Sequence, residues 1–382
     1  MISKISSLIL VICLCISGQF FLNESITQAQ KGLMLLSISL YISYIGLNRG
    51  RFIFSIKILV TTLICALISN LINHDLDFTL LAISMASLSI PLLVYSANFS
   101  HARALSLVKM IRYLPIISVL IGFSMLAIGL KPWAIEFSGA WRLRGAVIAP
   151  HLAMLAFVAI YVGLLRNAIC PKSKELILVG FNYLILFLTF TRGPLIVSTA
   201  VIAFYFFMNT QYSSTRKIIT FVVAGTLFSL LFLFGQSNYA LRSIDSTVDD
   251  TVNFSGRTVA WNFFWNNALE RPLFGRGLGS VTKLTQDEAT SNLSLFVVPH
   301  NEYLRFIVDL GFIGASVFFV LIALELFGIY KTQAIHVKKI VLPMLFGIAI
   351  YAFSDNLFST LQFSVPITIF LIHLLHTSPR TK

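Results

Sequence analysis

The stretch AVIAPHLAMLAFVAIYVGLL forms residues 146–165 and contains no Asp, Glu, Lys or Arg. A membrane-spanning helix needs about 20 mostly apolar residues, because hydrocarbon offers no hydrogen-bond partner to an exposed backbone N–H or C=O group. The stretch therefore predicts a transmembrane helix. Apolar runs of the same kind lie on both sides of it, so the prediction extends to the whole chain.

The composition is that of a membrane protein. Of the 382 residues, 57% are hydrophobic and only 11% are charged, a balance that a water-soluble chain of this size cannot carry without large exposed apolar patches. The apolar runs predict an all-α polytopic membrane protein, a single integral membrane domain of residues 1–382 with about 12 transmembrane helices. These spans lie near residues 5–22, 33–47, 52–72, 78–97, 113–130, 146–165, 175–190, 194–209, 217–235, 303–329, 339–354 and 358–376.

Prolines inside four of these runs predict kinks rather than breaks, since neighbouring helices can satisfy the freed carbonyls; they are Pro91, Pro115, Pro343 and Pro366. Residues 1–22 are interpreted as an uncleaved first helix rather than as a signal peptide, because Gln19, Phe20 and Phe21 make a poor cleavage site.

The basic residues indicate the orientation of the chain. Cytoplasmic loops are enriched in Lys and Arg, and placing both termini in the cytoplasm puts most of the 28 basic residues inside. The net charge of +13 is therefore assigned to topology and not to a nucleic-acid partner, since the basic residues are scattered between apolar runs. The prediction is an inner-membrane protein whose large polar loop, residues 236–302 between the ninth and tenth helices, lies on the extracytoplasmic side.

Two arginines in the predicted outer loops are candidates for binding an anion. Arg192 precedes Gly193-Pro194 at the start of a helix, where a guanidinium and free backbone N–H groups suit phosphate oxygens. Arg257 opens a predicted amphipathic helix, residues 257–269, with Trp and Phe side chains typical of a membrane interface. Together they predict a clamp for a pyrophosphate, and the alternative for each is an ordinary interfacial arginine.

A third basic cluster is Trp141-Arg142-Leu143-Arg144-Gly145. Arg142 and Arg144 are candidates for contacts to an anionic sugar or a phosphate. Packing of Trp141 among lipid headgroups is the slightly favoured alternative.

The most informative local pattern is Pro299-His300-Asn301-Glu302-Tyr303-Leu304, followed by Asp309-Leu310-Gly311-Phe312-Ile313-Gly314. It combines a histidine, which can accept a proton near neutral pH, with small residues that let a helix pack closely against a neighbour. For His300 taken alone, an interfacial histidine without a catalytic role is the alternative.

These pieces in this order resemble the O-antigen ligase and polymerase superfamily of bacterial cell-envelope enzymes. The resemblance rests on His300-Asn301, nine intervening residues and Gly311-Phe312-Ile313-Gly314, with Thr189–Arg192 upstream and Gly256–Trp261 opening the large loop. It covers roughly residues 140–360, which we take as the ligase-like core, whereas the first four spans match only in being hydrophobic.

The resemblance implies an architecture like that of the GT-C membrane glycosyltransferases and the transfer of a glycan from undecaprenyl pyrophosphate to an acceptor hydroxyl, without metal or other cofactor. By the same resemblance His300 is the general base, and Arg192 and Arg257 stabilise the leaving pyrophosphate. By the same resemblance the membrane is the bacterial inner membrane and the reaction occurs on the periplasmic face. The residues expected to contact the acceptor or the glycan are Asn301, Arg142, Arg144 and Asp355. The alternative role for Asp355 is to orient His300.

Three functions remain open at this point. The favoured one is a ligase that moves O-antigen onto lipid A-core, and the second is a polymerase whose acceptor is a lipid-linked repeat unit. The third is a transporter of lipid-linked sugar, which is expected to show charged residues and broken helices near the membrane midplane in two repeated halves. A metal site at Asp75 and Asp77 is a further, less favoured possibility. Membrane lipid is an expected partner in every case.

Overall fold

The structure is a computed structural model that describes residues 2–16, 24–73, 77–130, 134–137, 140–208, 225, 257–287 and 299–377. The predicted ninth span at residues 217–235, apart from residue 225, lies outside the described residues. The predicted outer loop is described only over residues 257–287 and 299–302.

Within the described ranges the chain is almost entirely helical. Its elements follow in the order α1 (Ile2–Cys15), α2 (Glu24–Ile45), α3 (Arg49–Asn73), α4 (Phe78–Ser96), α5 (His101–Ile111), α6 (Leu114–Ala127), β1 (Ala134–Phe137), β2 (Ala140–Leu143), α7 (Ala149–Ile169), α8 (Ser173–Leu188), α9 (Arg192–Met208), α10 (Arg257–Glu270), α11 (Ser280–Asp287), α12 (Glu302–Lys331), α13 (Ile335–Ala352) and α14 (Leu361–Thr377).

Several of these helices are long and apolar enough to cross a membrane. In the part of the chain that the structure describes, 5 helices meet this condition, and the bent pair α5 and α6 raises the number to 6 if it counts as one span. The five are α3, α4, α7, α12 and α13, while α9 and α14 are shorter apolar helices. The protein is thus an all-α membrane protein, and the total of about 12 spans stays a prediction.

Two local features differ from the sequence prediction. Residues 101–111 form helix α5, where a cytoplasmic loop was predicted, and Pro115 lies in the first turn of α6, so that a break of 48° replaces the predicted kink. Proline suits a first helical turn because the backbone N–H that it lacks has no helical partner there. The antiparallel hairpin of β1 and β2, in which Ile135 pairs with Arg142, was not predicted.

The described chain divides into two compact units. The first contains Met1–Lys109, Arg257–Thr332 and Tyr351–Lys382. In this unit α12 packs against α3 and α10, and α14 packs against α4. Its core includes the stacked rings of Phe306 and Phe318, whose centroids lie 4.1 Å apart.

Helix α12 is interrupted at Gly311, which has φ 68° and ψ 178°. A regular helix would join the N–H groups of Phe312 and Ile313 to the carbonyls four residues earlier. Here the loop of residues 272–277 lies between these N–H groups and the carbonyls of Val308 and Asp309. The backbone of the loop provides hydrogen-bond partners for both N–H groups and both carbonyls. Phe312 N and Ile313 N donate to Pro272 and Leu273 at 2.7 and 3.2 Å. Arg276 N and Gly277 N donate to Val308 and Asp309, both at 2.9 Å.

Gly311 and Gly314 were both predicted to let this helix pack closely against a neighbour, and the interruption shows that their roles differ. Gly314 is at a close helix contact as predicted, since a Cβ added there would lie 2.9 Å from Cys65 Sγ of α3. Gly311 instead allows the loop to cross the helix, because an added Cβ would lie 2.3 Å from the Leu273 carbonyl oxygen. The predicted tenth span therefore consists of a short helix at residues 302–310 and a longer helix at residues 312–331. The longer helix is about 30 Å long, which is enough to cross the hydrocarbon layer.

The second unit contains Met110–Gly256 and Gln333–Ile350. Its central element is α7, which packs against α6, α8 and α9. In the most apolar part of α7, 83% of the residues are buried. Close approach of α7 and α8 depends on Gly163, where an added Cβ would lie 2.5 Å from Val179 Cγ2. Buried Arg112 and partly buried Arg166 both pair with buried Glu175 in this unit.

Candidate active site

The segment that carries His300 is fixed by its backbone. His300 has a left-handed conformation, with φ 47°, which is uncommon for residues other than glycine. The carbonyl before it, that of Pro299, accepts a hydrogen bond from the Trp261 indole N–H at 2.8 Å. The residue after it, Asn301, caps α12 by accepting from the Leu304 N–H at 3.1 Å. His300 thus lies in a defined turn between α10 and the start of α12.

The His300 imidazole faces a carboxylate. Its Nδ1 lies 3.4 Å from Asp355 Oδ1, at the long end of the range for a hydrogen bond. The His300 side chain is 37% exposed and that of Asp355 9%, so the ring is accessible while its partner is buried. Asp355 also accepts from the Asn356 backbone N–H at 2.9 Å and from the Tyr351 hydroxyl at 3.4 Å. The carboxylate is therefore held from several sides.

Asp355 is ionised at neutral pH in spite of its burial. Burial raises the pKa of this carboxyl, but the hydrogen bond and charge of His300, the charge of Arg257 and the Asn356 N–H outweigh it, so the pKa is lowered from its ordinary value. The pKa of Asp355 is therefore lower in the folded chain than in the unfolded chain. The ionised carboxylate stabilises the fold at every pH above its pKa in the unfolded chain, and this stabilisation is lost as the pH falls through its pKa in the folded chain.

Arg257 is the first residue of α10 and belongs to the same group, since its charge lowers the pKa of Asp355. The predicted helix at residues 257–269 is confirmed. One face of α10 packs against α12 through buried residues four positions apart, which are Ala260, Phe264 and Ala268. This packing fixes the end of the helix from which Arg257 extends. The position of α10 at a membrane interface stays a prediction.

The second unit holds the other predicted arginines. Helix α9 begins at Arg192, as predicted, directly after a turn in which Phe190 has φ 49°. Buried Arg142 of β2 binds this turn: Nε donates to the Thr189 carbonyl and Nη2 to the Thr191 hydroxyl, both at 2.9 Å. The structure thus brings Arg142 to the segment that ends in Arg192, and the role of Arg142 in this fold is to hold that turn.

Arg144 is also buried, with 7% of its surface exposed, and burial lowers its pKa. The chain after it lies tightly on α6, because Ala146 N donates to the Ser118 carbonyl at 2.9 Å and a Cβ at Gly145 would lie 2.6 Å from that oxygen. Trp141, in contrast, is 59% exposed. A contact of Arg142 or Arg144 to the glycan remains a prediction, as does the packing of Trp141 among lipid headgroups.

Replacement of Arg142 by lysine is expected to destabilise the second unit by about 1–3 kcal/mol, because an ammonium cannot serve both acceptors with the fixed fork of a guanidinium. Thermal unfolding of the purified protein in detergent measures the change. Arg49→Lys, at an exposed position, is the matched control. Equal melting temperatures for both variants and the wild type would show that the two hydrogen bonds of Arg142 do not hold the turn.

The acidic pair suggested as a metal site is described only in part. Asp77 caps α4, since its carboxylate accepts from the Thr79 and Leu80 N–H groups at 2.8 and 3.0 Å. Asp75 lies outside the described residues. Helix capping therefore gives Asp77 a structural role that needs no metal.

Two residues of the site were not predicted from the sequence. Tyr351 donates to Asp355 across one turn at the end of α13, and Glu302 is completely buried beside the histidine segment. A carboxylate in the first turn of an apolar helix is the only local signal that points to Glu302, and it is equally typical of a favourable charge at a helix N-terminus. Nothing local distinguishes Tyr351.

One segment of the chain matches the model of a known protein family. Residues 176–319 match the family model described as O-antigen ligase. The matched segment includes Arg192, Arg257 and His300 and confirms the resemblance to the O-antigen ligase and polymerase superfamily. No curated protein matches the chain.

Proposed function

We propose that this chain, a bacterial membrane protein with an O-antigen ligase domain at residues 176–319, is a glycosyltransferase that moves a glycan from undecaprenyl pyrophosphate to an acceptor hydroxyl. The observation that carries the proposal is the accessible His300 beside the buried Asp355 within 3.4 Å. An imidazole with a carboxylate behind it is a general arrangement for removing a proton from a hydroxyl.

The proposed step is a direct displacement. The acceptor oxygen attacks the anomeric carbon while its proton passes to His300, and the bond between the anomeric carbon and the pyrophosphate oxygen breaks with its electron pair leaving on the pyrophosphate. Asp355 lies at Nδ1, so it favours the tautomer in which the other ring nitrogen, Nε2, is the base. Attack from the face opposite the leaving group inverts the anomeric configuration.

Arg257 is proposed to stabilise the leaving pyrophosphate. Negative charge develops on that group as the bond breaks, and a guanidinium held by the scaffold meets this charge without reorganising. Its influence on Asp355 supports a position close to the reacting groups. Arg192 has the same proposed role, which rests on the resemblance and on its place at the N-terminus of α9.

The reaction is proposed to occur on the periplasmic face without a metal ion. The orientation deduced from the basic residues puts the segments that carry Arg257, His300 and Asp355 outside. Loss of activity on treatment with EDTA would contradict the metal-free reaction. As the acceptor we propose lipid A-core, which makes the enzyme an O-antigen ligase.

Alanine at Arg257 or Arg192 is expected to lower transfer by about 10²–10³-fold, the usual effect of removing one group that stabilises developing charge. Cells lacking the gene are complemented with each variant, and lipopolysaccharide is separated on gels. For a ligase, long-chain polymer disappears from lipid A-core and accumulates on the lipid carrier. Arg271→Ala, in the loop that follows α10, is the matched control and is expected to restore the wild-type pattern.

Other gel patterns separate the alternatives. A single repeat unit still attached to the core indicates a polymerase, and accumulation of unflipped lipid-linked glycan in the cytoplasmic leaflet indicates a transporter. Wild-type polymer in both arginine variants would remove these side chains from the site.

A further inference from the structure

Glu302 links the two chain segments that form the histidine–carboxylate pair. It is the first residue of α12, two positions after His300, and none of its surface is exposed. Its Oε1 accepts from the Phe358 backbone N–H at 3.2 Å, and Phe358 lies three positions after Asp355. Glu302 therefore joins the segment that carries the base to the loop that carries its carboxylate partner.

The carboxylate of Glu302 is compensated within its own helix. Arg305 donates to Oε1 at 2.7 Å, and the guanidinium of Arg305 lies 4.5 Å from the centre of the Phe306 ring. A buried carboxylate needs such a partner, because desolvation of an unpaired charge is costly. Arg305 therefore balances the charge of Glu302.

The contact between His300 and Asp355 is sensitive to small displacements. At 3.4 Å it is close to the limit for a hydrogen bond, so a further shift of about 0.5 Å removes it. The two residues are 55 positions apart in sequence, and their distance depends on how the loop after α13 is fixed against the start of α12. The hydrogen bond from Phe358 to Glu302 fixes the loop at this place.

We propose that Glu302 is a positioning residue, which holds the Asp355 loop through the Phe358 N–H so that Asp355 orients the His300 imidazole. The inference rests on the proposed function, because it assigns a purpose to the His300–Asp355 pair. Activity is then expected to depend on the length of the side chain at residue 302, which brings its acceptor oxygen to the Phe358 N–H, and not on the charge of that side chain.

Two conservative variants separate the effect of side-chain length at residue 302 from the effect of its charge. Glu302→Gln keeps the length and an acceptor oxygen but removes the charge, whereas Glu302→Asp keeps the charge and is shorter by one methylene. We expect Glu302→Gln to stay within about 3-fold of wild-type kcat and Glu302→Asp to lose about 10-fold or more, with KM for the lipid-linked donor unchanged. In the Asp355→Asn background, Glu302→Asp is expected to have less than about a 2-fold further effect, since both act through one link.

A chemical readout tests the geometry separately from the activity. Diethyl pyrocarbonate modifies the unprotonated imidazole, and the rate at His300 is followed by mass spectrometry at pH 7. Loss of the hydrogen bond to Asp355 leaves the ring free to react, so Glu302→Asp and Asp355→Asn are expected to raise this rate by a similar factor of about 3, and Glu302→Gln is expected to leave it unchanged. Exposed His336 is the internal control.

The outcomes distinguish the two proposals. If purified wild-type protein transfers no glycan, the proposed function is wrong, and the modification rates still decide the positioning role. Equal losses of activity in Glu302→Gln and Glu302→Asp, effects that multiply with Asp355→Asn, or a His300 rate unaffected by Glu302→Asp would each overturn the positioning role. Melting temperatures show whether a loss of activity comes from unfolding instead.

Discussion

Replacement of His300 by alanine is expected to lower kcat for glycan transfer by about 10²–10⁴-fold, the usual contribution of a positioned general base. KM for the lipid-linked donor is expected to change little, because the imidazole acts on the acceptor hydroxyl and not on the pyrophosphate. The reconstituted reaction of the purified protein, with lipid-linked glycan as donor, measures both constants.

The control for this variant is His336→Ala, which removes an exposed histidine at the start of α13. The backbone conformation at residue 300 gives a second comparison. Because φ is 47°, asparagine, which tolerates left-handed geometry, keeps the turn while removing the base. Wild-type kcat in His300→Ala would exclude the histidine as the base, and full activity in His300→Asn alone would show that only the turn matters.

The helices of the site were predictable because their apolar residues repeat with helical spacing. The tenth span was predicted at residues 303–329 from its apolar run, close to the observed start of α12 at Glu302, and α10 was predicted over nearly the same residues as the structure shows. These are local properties of the sequence, and so they needed no knowledge of distant contacts.

The pairing of His300 with Asp355 was suggested by the resemblance only as one of two options. The residues are 55 positions apart and lie on either side of two apolar helices, so no local pattern brings them together. Arg142 shows the same limit. Its contact to a ligand stays a prediction, and its hydrogen bonds to Thr189 and Thr191 join segments that are distant in the sequence. Whether a buried arginine binds its own fold or a ligand is decided by the packing around it.

The break in α12 could not be predicted from the apolar composition of the segment. Residues 303–329 were predicted as one continuous apolar helix, because a glycine within such a run is tolerated without a break. The break depends on the loop of residues 272–277, whose backbone groups replace the lost helical hydrogen bonds. Since that loop is remote in sequence from Gly311, the sequence indicated close packing and not an interruption.

Gly311→Ala is expected to have the largest effect on folding. The combination of φ 68° and ψ 178° is accessible essentially to glycine alone. An added Cβ would lie 2.3 Å from the Leu273 carbonyl oxygen and 2.5 Å from Phe274 N, and neither backbone atom can move without the loop. Backbone strain and the loss of loop hydrogen bonds together are expected to cost about 4 kcal/mol or more, and the yield of folded protein in detergent is expected to fall accordingly.

Gly328→Ala is the matched control, since it lies in the same helix with no atom within 4 Å of the added Cβ. Its expected effect is neutral or a gain of up to about 1 kcal/mol, because alanine favours helix more than glycine does. If the two variants melt alike, the loop of residues 272–277 does not cross α12 at Gly311. If only Gly311→Ala unfolds, the fold requires a glycine where the loop of residues 272–277 crosses α12, whatever the reaction at His300.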